Sequence, residues 1–289
     1  GDGKGRCDRK AGTGMKAILF AYHEIGVAAL ESLLKDGVEV AAVFTHRDDP
    51  AEGNWFRSVA RVAAQHGIPV FAPEDPNHQI WVDRVREMSP DVIISSHYRR
   101  MIGTDMLSIC PDKCFNIHAS LLPKYRGRCP INWVLVNGES ETGVTLHCMT
   151  ASADAGDIVA QERVGIDDED TAQTLTEKLV AATNKLLSSS LKQLKAGDTP
   201  RVPQNEAEAT VWPGRSPEDG LIDWTMSCIA VRNLVRAVTH PWPGAFTFAG
   251  DRKVMIWDAV VMPGAPEVPP GTILSIDPLT VACGDGAVR

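Results

Sequence analysis

Apolar positions in the first hundred residues alternate between two rhythms. Residues 16–21, Lys-Ala-Ile-Leu-Phe-Ala, form the short pattern of a buried strand, and Ile25, Ala28, Ala29, Leu33 and Leu34 then recur at helical spacing up to Gly37. Residues 38–45 repeat the strand pattern. Phe56, Val59, Ala60, Val62 and Ala63 mark a helix closed by His66-Gly67, with a strand at 68–71, and a further helix at 80–88 precedes a strand at 91–95. Strands alternating with helices at this spacing predict a parallel sheet covered on both faces.

The pattern continues with a short helix at 104–109 and a strand over 115–118. A strand's period of two puts Asn116 and His118 on one face and Phe115 and Ile117 on the other. Pro130 suits a first helical turn, the helix 131–136 stops at Asn137-Gly138, and strands are expected at 142–149 and 158–166 around a polar small-residue loop. From Asp170 onward Leu175, Leu179, Leu186, Leu187, Leu191 and Leu194 trace a long amphipathic helix. Gly197, Pro200 and Pro203 break it and serve as a linker. Short strands follow at 209–212, 221–224, 245–249, 254–257, 272–276 and 280–283, with one helix at 228–238 and a tight turn at Gly250-Asp251. The expected organisation is a polar, glycine-rich leader over 1–14, an α/β domain over 15–203 and a small β-barrel domain over 204–289.

Composition removes several classes. Of 289 residues, 44% are hydrophobic and 23% charged, which is ordinary for a globular chain, and no stretch approaches the roughly 18 apolar residues of a spanning helix. A net charge of −8 disfavours a dedicated polyanion binder. Seven cysteines without a Cys-x-x-Cys pair indicate neither a disulfide framework nor a zinc ribbon and fit a reducing cytoplasm. The turn after the first strand, Ala21-Tyr22-His23-Glu24-Ile25-Gly26, lacks the Gly-x-Gly-x-x-Gly of a dinucleotide site. No His-x-x-x-His or clustered Cys/His set supports a metal.

Candidate chemistry concentrates at residues 115–128. The strand bearing Asn116 and His118 opens into a loop with Lys124, Arg126, Gly127 and Arg128, which reads either as a cationic grip for an anionic ligand or as a solvated basic loop. Asp154 and Asp157 lie in the loop after the next strand. An aspartate reaching His118 would fix its tautomer and favour its protonated form, whereas turn chemistry is the better account of at least one of the two. His147 reads as structural, and His23 as an exposed turn residue.

Phe115-Asn116-Ile117-His118-Ala119-Ser120-Leu121-Leu122-Pro123 with Tyr125-Arg126-Gly127 and Asp154-Ala155-Gly156-Asp157 resembles the 10-formyltetrahydrofolate-dependent formyltransferases. The resemblance runs from Met15 to the end. It implies a Rossmann-like, mostly parallel sheet with a small C-terminal OB-like β-barrel. It also implies Asn116 holding the formyl oxygen, His118 shuttling a proton, and Asp154 orienting His118 and raising its pKa. Folate would lie along Arg100, Met101, Ile102, Arg128 and the loop Thr150, Ala151, Ser152, Ala153 and Asp154.

Within the family, Phe20-Ala21-Tyr22-His23, Asn132-Trp133-Val134-Leu135-Val136-Asn137-Gly138-Glu139 and Pro241-Trp242-Pro243-Gly244-Ala245-Phe246 are similar to the formyltransferase domain of the bifunctional enzymes of polymyxin resistance. Those enzymes formylate UDP-4-amino-4-deoxy-L-arabinose for lipid A modification in lipopolysaccharide biosynthesis. Their other half, a decarboxylating dehydrogenase acting on UDP-glucuronic acid, is expected in a full-length protein and is absent from these 289 residues. Methionyl-tRNA formyltransferase is the rival within the family. From Arg201 onward seven cations stand against ten acids, a poor grip for tRNA. A folate- or nucleotide-binding sensor is the non-enzymatic alternative.

Overall fold

The computed structural model describes residues 14–47, 55–262, 264 and 267–289; the expected leader lies almost wholly outside them. The chain runs β1 (Lys16–Ala21), α1 (His23–Lys35), β2 (Glu39–Phe44), α2 (Val59–Gln65), β3 (Val70–Phe71), α3 (Gln79–Met88) and β4 (Val92–Ser96). It continues through α4 (Thr104–Leu107), β5 (Cys114–His118), β6 (Arg126–Gly127), α5 (Pro130–Val136), β7 (Glu141–Cys148), β8 (Ile158–Gly165) and α6 (Ala172–Ala196). Beyond the linker come β9 (Val211–Trp212), α7 (Cys228–Val238), β10 (Ala245–Ala249), β11 (Arg252–Ile256), β12 (Val261–Met262), β13 (Ile273–Ile276), β14 (Leu279–Ala282) and β15 (Ala287–Val288).

Seven strands form one sheet in the order β3-β2-β1-β4-β5-β7-β8. The first five are parallel, and β7 and β8 run antiparallel to their neighbours. Strand order reverses between β1 and β4, and the carboxyl ends of such central strands are where open α/β sheets place ligands. Alternate residues of β1 enter different cores: Ala17, Leu19 and Ala21 pack with α1 and α6, and Ile18 and Phe20 with Phe44, Val82 and Val85. Burial on both faces explains why the parallel strands read as continuous apolar runs.

The long helix α6 begins at a capping box, in which Thr171 and Thr174 each accept from the other's backbone N–H, and stops at Gly197 with φ 73°. Ser32 of α1 donates to Asn184 of α6 at 2.8 Å, joining the two helices that cover one face.

Antiparallel strands make up the C-terminal part: the hairpin β10–β11 turning at Gly250-Asp251, and a sheet in the order β12-β15-β14-β13. Residues 221–224 form no strand. Leu221, directly after the 3-10 turn Pro217–Gly220, makes one isolated parallel bridge to Phe246. The two-residue strands β12 and β15 are too short to carry a period in sequence. Helix α7 buries Val231, Leu234, Val235 and Ala237 in the same core as α5 and α6, so the two parts share apolar packing.

Candidate active site

The site forms where β5 ends. Asn116 and His118 share a face, as the period of two requires, and Phe115 and Ile117 occupy the core behind them. The loop after β7 turns back sharply to reach that face. Cys148 N–H donates to Asp157 O at 2.9 Å, and a side chain at Gly156 would collide with the Cys148 carbonyl, so only glycine closes the loop. Asp154 adopts φ 54°, a left-handed conformation uncommon outside glycine.

Asp154 is the hub. Its Oδ2 accepts from Gly127 N–H at 2.9 Å and its Oδ1 accepts from Asn116 Nδ2 at 3.3 Å. The same Oδ1 lies 3.6 Å from His118 Nδ1 and 3.5 Å from His147 Nε2. Burial disfavours its ionisation. The positive charges that His118 and His147 carry when protonated, together with the Gly127 N–H, outweigh that penalty, and the carboxyl is held well below the usual carboxylate range. Of the two loop acids, tertiary structure selects Asp154.

The imidazoles are oriented by carbonyls. His118 Nε2 stands 2.7 Å from Tyr125 O, so the Nε2–H donates there and Nδ1 faces Asp154. His147 Nδ1–H donates to Cys148 O at 2.9 Å, leaving Nε2 to accept from Asn116 Nδ2 at 3.1 Å. Both amide hydrogens of Asn116 therefore point at site residues. His147, read as structural from sequence, belongs to the cluster because β7 pairs antiparallel with β5 and places it directly opposite Asn116. Its alternation with Thr145 was the visible signal; the register was not.

Two further histidines line the same edge. His23 follows β1 and His97 follows β4, both in left-handed conformations, with ring centroids 6.0 Å apart. Ser96 is in register with Ile117, which sets His97 beside His118. His23 packs at 4.6 Å from Trp55 and 4.2 Å from Phe56, and its Nδ1 is buried without a hydrogen-bond partner. Burial, aided by the Arg99 charge, lowers His23 to about 4. Burial also lowers His97, to about 3, together with the charges of His23, His118 and Arg99. The exposed turn histidine expected at 23 is thus a half-buried neutral ring.

The basic loop divides. Arg126 is buried and spent on protein partners, donating to Glu206 and to Gln204 at distances from 2.7 to 3.0 Å. Lys124 and Arg128 are exposed, and Arg128 N–H donates to Trp212 O at 3.0 Å. Arg100 and Met101 are exposed, whereas Ile102 is buried in the core that also receives Met149. Residues 150–153 form the exposed arm leading to Asp154, and Thr150 donates to Ser152 O at 2.9 Å. A cavity of about 270 Å³ opens beside this arm, lined by Leu107, Cys110, Cys114, Cys148, Met149, Thr150 and Gly156 among others. Among the described residues no group of three or more His, Cys, Asp or Glu side chains is arranged to hold a metal.

Arranged in this way, the cluster can hold an anion-stabilising amide beside a carboxylate-oriented imidazole, the equipment of acid–base catalysis on an acyl centre. The family model described as "Formyl transferase" matches residues 16–191, and that described as "Formyl transferase, C-terminal domain" matches residues 215–289. Among solved structures, the chain is similar to the sugar 3N-formyl transferase WlaRD, described in the presence of dTDP and 5-N-formyl-THF. The identity is 19%, the TM-score 0.75, and 96% of this chain and 97% of that one are covered. It is also similar to an N-formyltransferase from Helicobacter canadensis in complex with folinic acid and dTDP-3-aminofucose (20% identity, TM-score 0.75, coverage 96% and 98%). A sugar N-formyltransferase from Shewanella sp FDAARGOS_354 aligns at 20% identity with a TM-score of 0.67, covering 84% and 96%. With N- and C-terminal models matched in order and the polar cluster assembled at the sheet's carboxyl edge, the chain belongs to the formyl transferase family and is a formyl-transferring enzyme.

Proposed function

We propose that this enzyme transfers a formyl group from 10-formyltetrahydrofolate to the amino group of a sugar nucleotide, with UDP-4-amino-4-deoxy-L-arabinose as the acceptor. The observation that carries the reading is the Asp154 carboxylate held jointly by Asn116, His118, His147 and the Gly127 N–H. Folate supplies the formyl carbon. Arg100, Met101, Ile102, Arg128 and residues 150–154 hold it, with the two exposed arginines suited to its carboxylates.

In the transfer, a neutral amine adds to the formyl carbon, the carbonyl oxygen becomes an oxyanion, and nitrogen gives up a proton before the carbon–nitrogen bond to the donor breaks. His118 takes that proton at Nδ1, the nitrogen left free by its bond to Tyr125 O, Asp154 stabilises the resulting imidazolium, and the imidazolium returns the proton to the departing folate nitrogen as the oxyanion collapses. Asn116 donates to the oxyanion. To do so it exchanges one of its two present bonds, to His147 or Asp154, for the substrate.

The arabinose assignment rests on sequence resemblance and links the product to lipid A modification. A dTDP-linked amino sugar is the second reading, favoured by the dTDP-3-aminofucose complex of the Helicobacter canadensis relative. Purified protein supplied with 10-formyltetrahydrofolate and, separately, UDP-4-amino-4-deoxy-L-arabinose, a dTDP-3-amino sugar or charged initiator tRNA decides among them. Formylation of tRNA alone refutes the sugar assignment, and an undiminished rate after His118→Ala refutes the proton-transfer role.

A further inference from the structure

Asp154 holds an uncommon backbone conformation, and its grip does not come only from the acceptor side of the site. Gln204 lies in the linker between the two domains, one residue after Pro203. Val202 and Ile158 exchange backbone hydrogen bonds of 2.9 and 2.8 Å, which fastens the linker beside the start of β8. From there the Gln204 amide reaches the loop: Nε2 donates to Asp154 O and to Gly156 O, each at 2.7 Å. Its Oε1 accepts from Arg126 Nε at 3.0 Å and Nη2 at 2.7 Å. The guanidinium in turn donates to both carboxylate oxygens of Glu206, at 2.9 and 2.7 Å. Every hydrogen on the Gln204 amide and on the facing edge of Arg126 is used.

From this geometry we infer that Gln204 and Arg126 are positioning residues, a clamp through which the interdomain linker sets the Asp154 carboxylate against Asn116 and His118. Asp154 is gripped twice by neighbouring residues of one segment. Gly127 N–H holds its side chain, and Arg126 acts through Gln204 on its main chain. The two donors on the Asp154 and Gly156 carbonyls offset the cost of a left-handed non-glycine residue. The segment 126–127 is itself fixed by parallel pairing with β9, so the linker region holds both ends of the clamp. Its catalytic consequence rests on the role proposed for Asp154.

Two substitutions test it. Gln204→Leu removes both donors, and Gln204→Glu keeps the volume and the Arg126 contact but turns an acceptor toward two carbonyls. Both are expected to lower kcat for formyl transfer about 10- to 100-fold, as a displacement near 1 Å does, with KM for the sugar nucleotide changed less than about threefold. Carbon-13 shifts of the Asp154 carboxyl, which need neither substrate, are expected to stay flat through mild acid in wild type and to show a titration moved up toward the ordinary carboxylate range in the variants. Glu206→Ala, at an exposed side chain, loosens the outer end and gives a smaller change in the same direction. Folded variants with wild-type kcat and an unmoved carboxyl titration overturn the clamp, and so does a loss of kcat without that movement. Wild-type protein that formylates no amino sugar overturns the acceptor assignment instead and leaves the titration to decide the clamp.

Discussion

Lowering the pH from 7 to 5 is expected to destabilise this enzyme through His23 and His97. Folded, these rings stay neutral down to about 4 and about 3, because burial and the Arg99 charge oppose protonation. Unfolded, each binds a proton near pH 6.5. The sign follows from linkage: between the unfolded and folded values the unfolded chain holds more protons, so stability is full above pH 6.5 and falls as the pH drops below it. At pH 5 the unfolded histidine is almost wholly protonated and the folded one is not, which costs about 2 kcal/mol per histidine relative to pH 7. His97 faces His23, His118 and Arg99, so the two contributions are coupled, and about 2–4 kcal/mol in all is expected. Asp154 is already ionised throughout this window and adds nothing. Urea denaturation at pH 7 and pH 5 measures the difference, and His97→Phe and His23→Phe should each reduce it by about 2 kcal/mol. An equal pH 7-to-5 loss in wild type and both variants would refute the placement of these rings as half-buried and neutral.

Asn116→Ala should lower kcat roughly 100- to 1,000-fold in a formylation assay, and an unchanged maximal rate would remove the oxyanion role. Asp154→Asn should distort the pH–rate profile and also abolish the stability that wild type loses as the pH falls below about 4, since the folded carboxyl titrates lower than the unfolded one; identical acid unfolding curves would count against it. His147→Phe keeps an aromatic ring but leaves Asn116 Nδ2 one acceptor short, so kcat should drop about tenfold while acceptor KM changes little. Wild-type kinetics in that variant would return His147 to a structural role. Gly156→Ala forces a clash with the Cys148 carbonyl and should cost about 2 kcal/mol or more, read as a lower urea midpoint.

Much of this enzyme is legible along the chain itself. The βα alternation, the opposite faces of Asn116 and Phe115, the stop of α6 at Gly197 and the Gly250-Asp251 turn are local consequences of side-chain period and backbone preference, and the folded chain keeps them. Tertiary structure decided the rest. His147 enters the site only because β7 lies antiparallel beside β5 in one register, and a shift of one residue would turn it to the other face. Arg126 appears in sequence as one of three equivalent cations, yet burial against Gln204 and Glu206, some eighty residues away, removes it from the ligand surface. His23 and His97 became half-buried neutral rings when three parallel strands brought their carboxyl ends together. Period and propensity act within a few residues of chain, so sequence determined the elements and the facing of Asn116 and His118. Which distant groups surround them depends on strand order and register, and those exist only in the folded sheet.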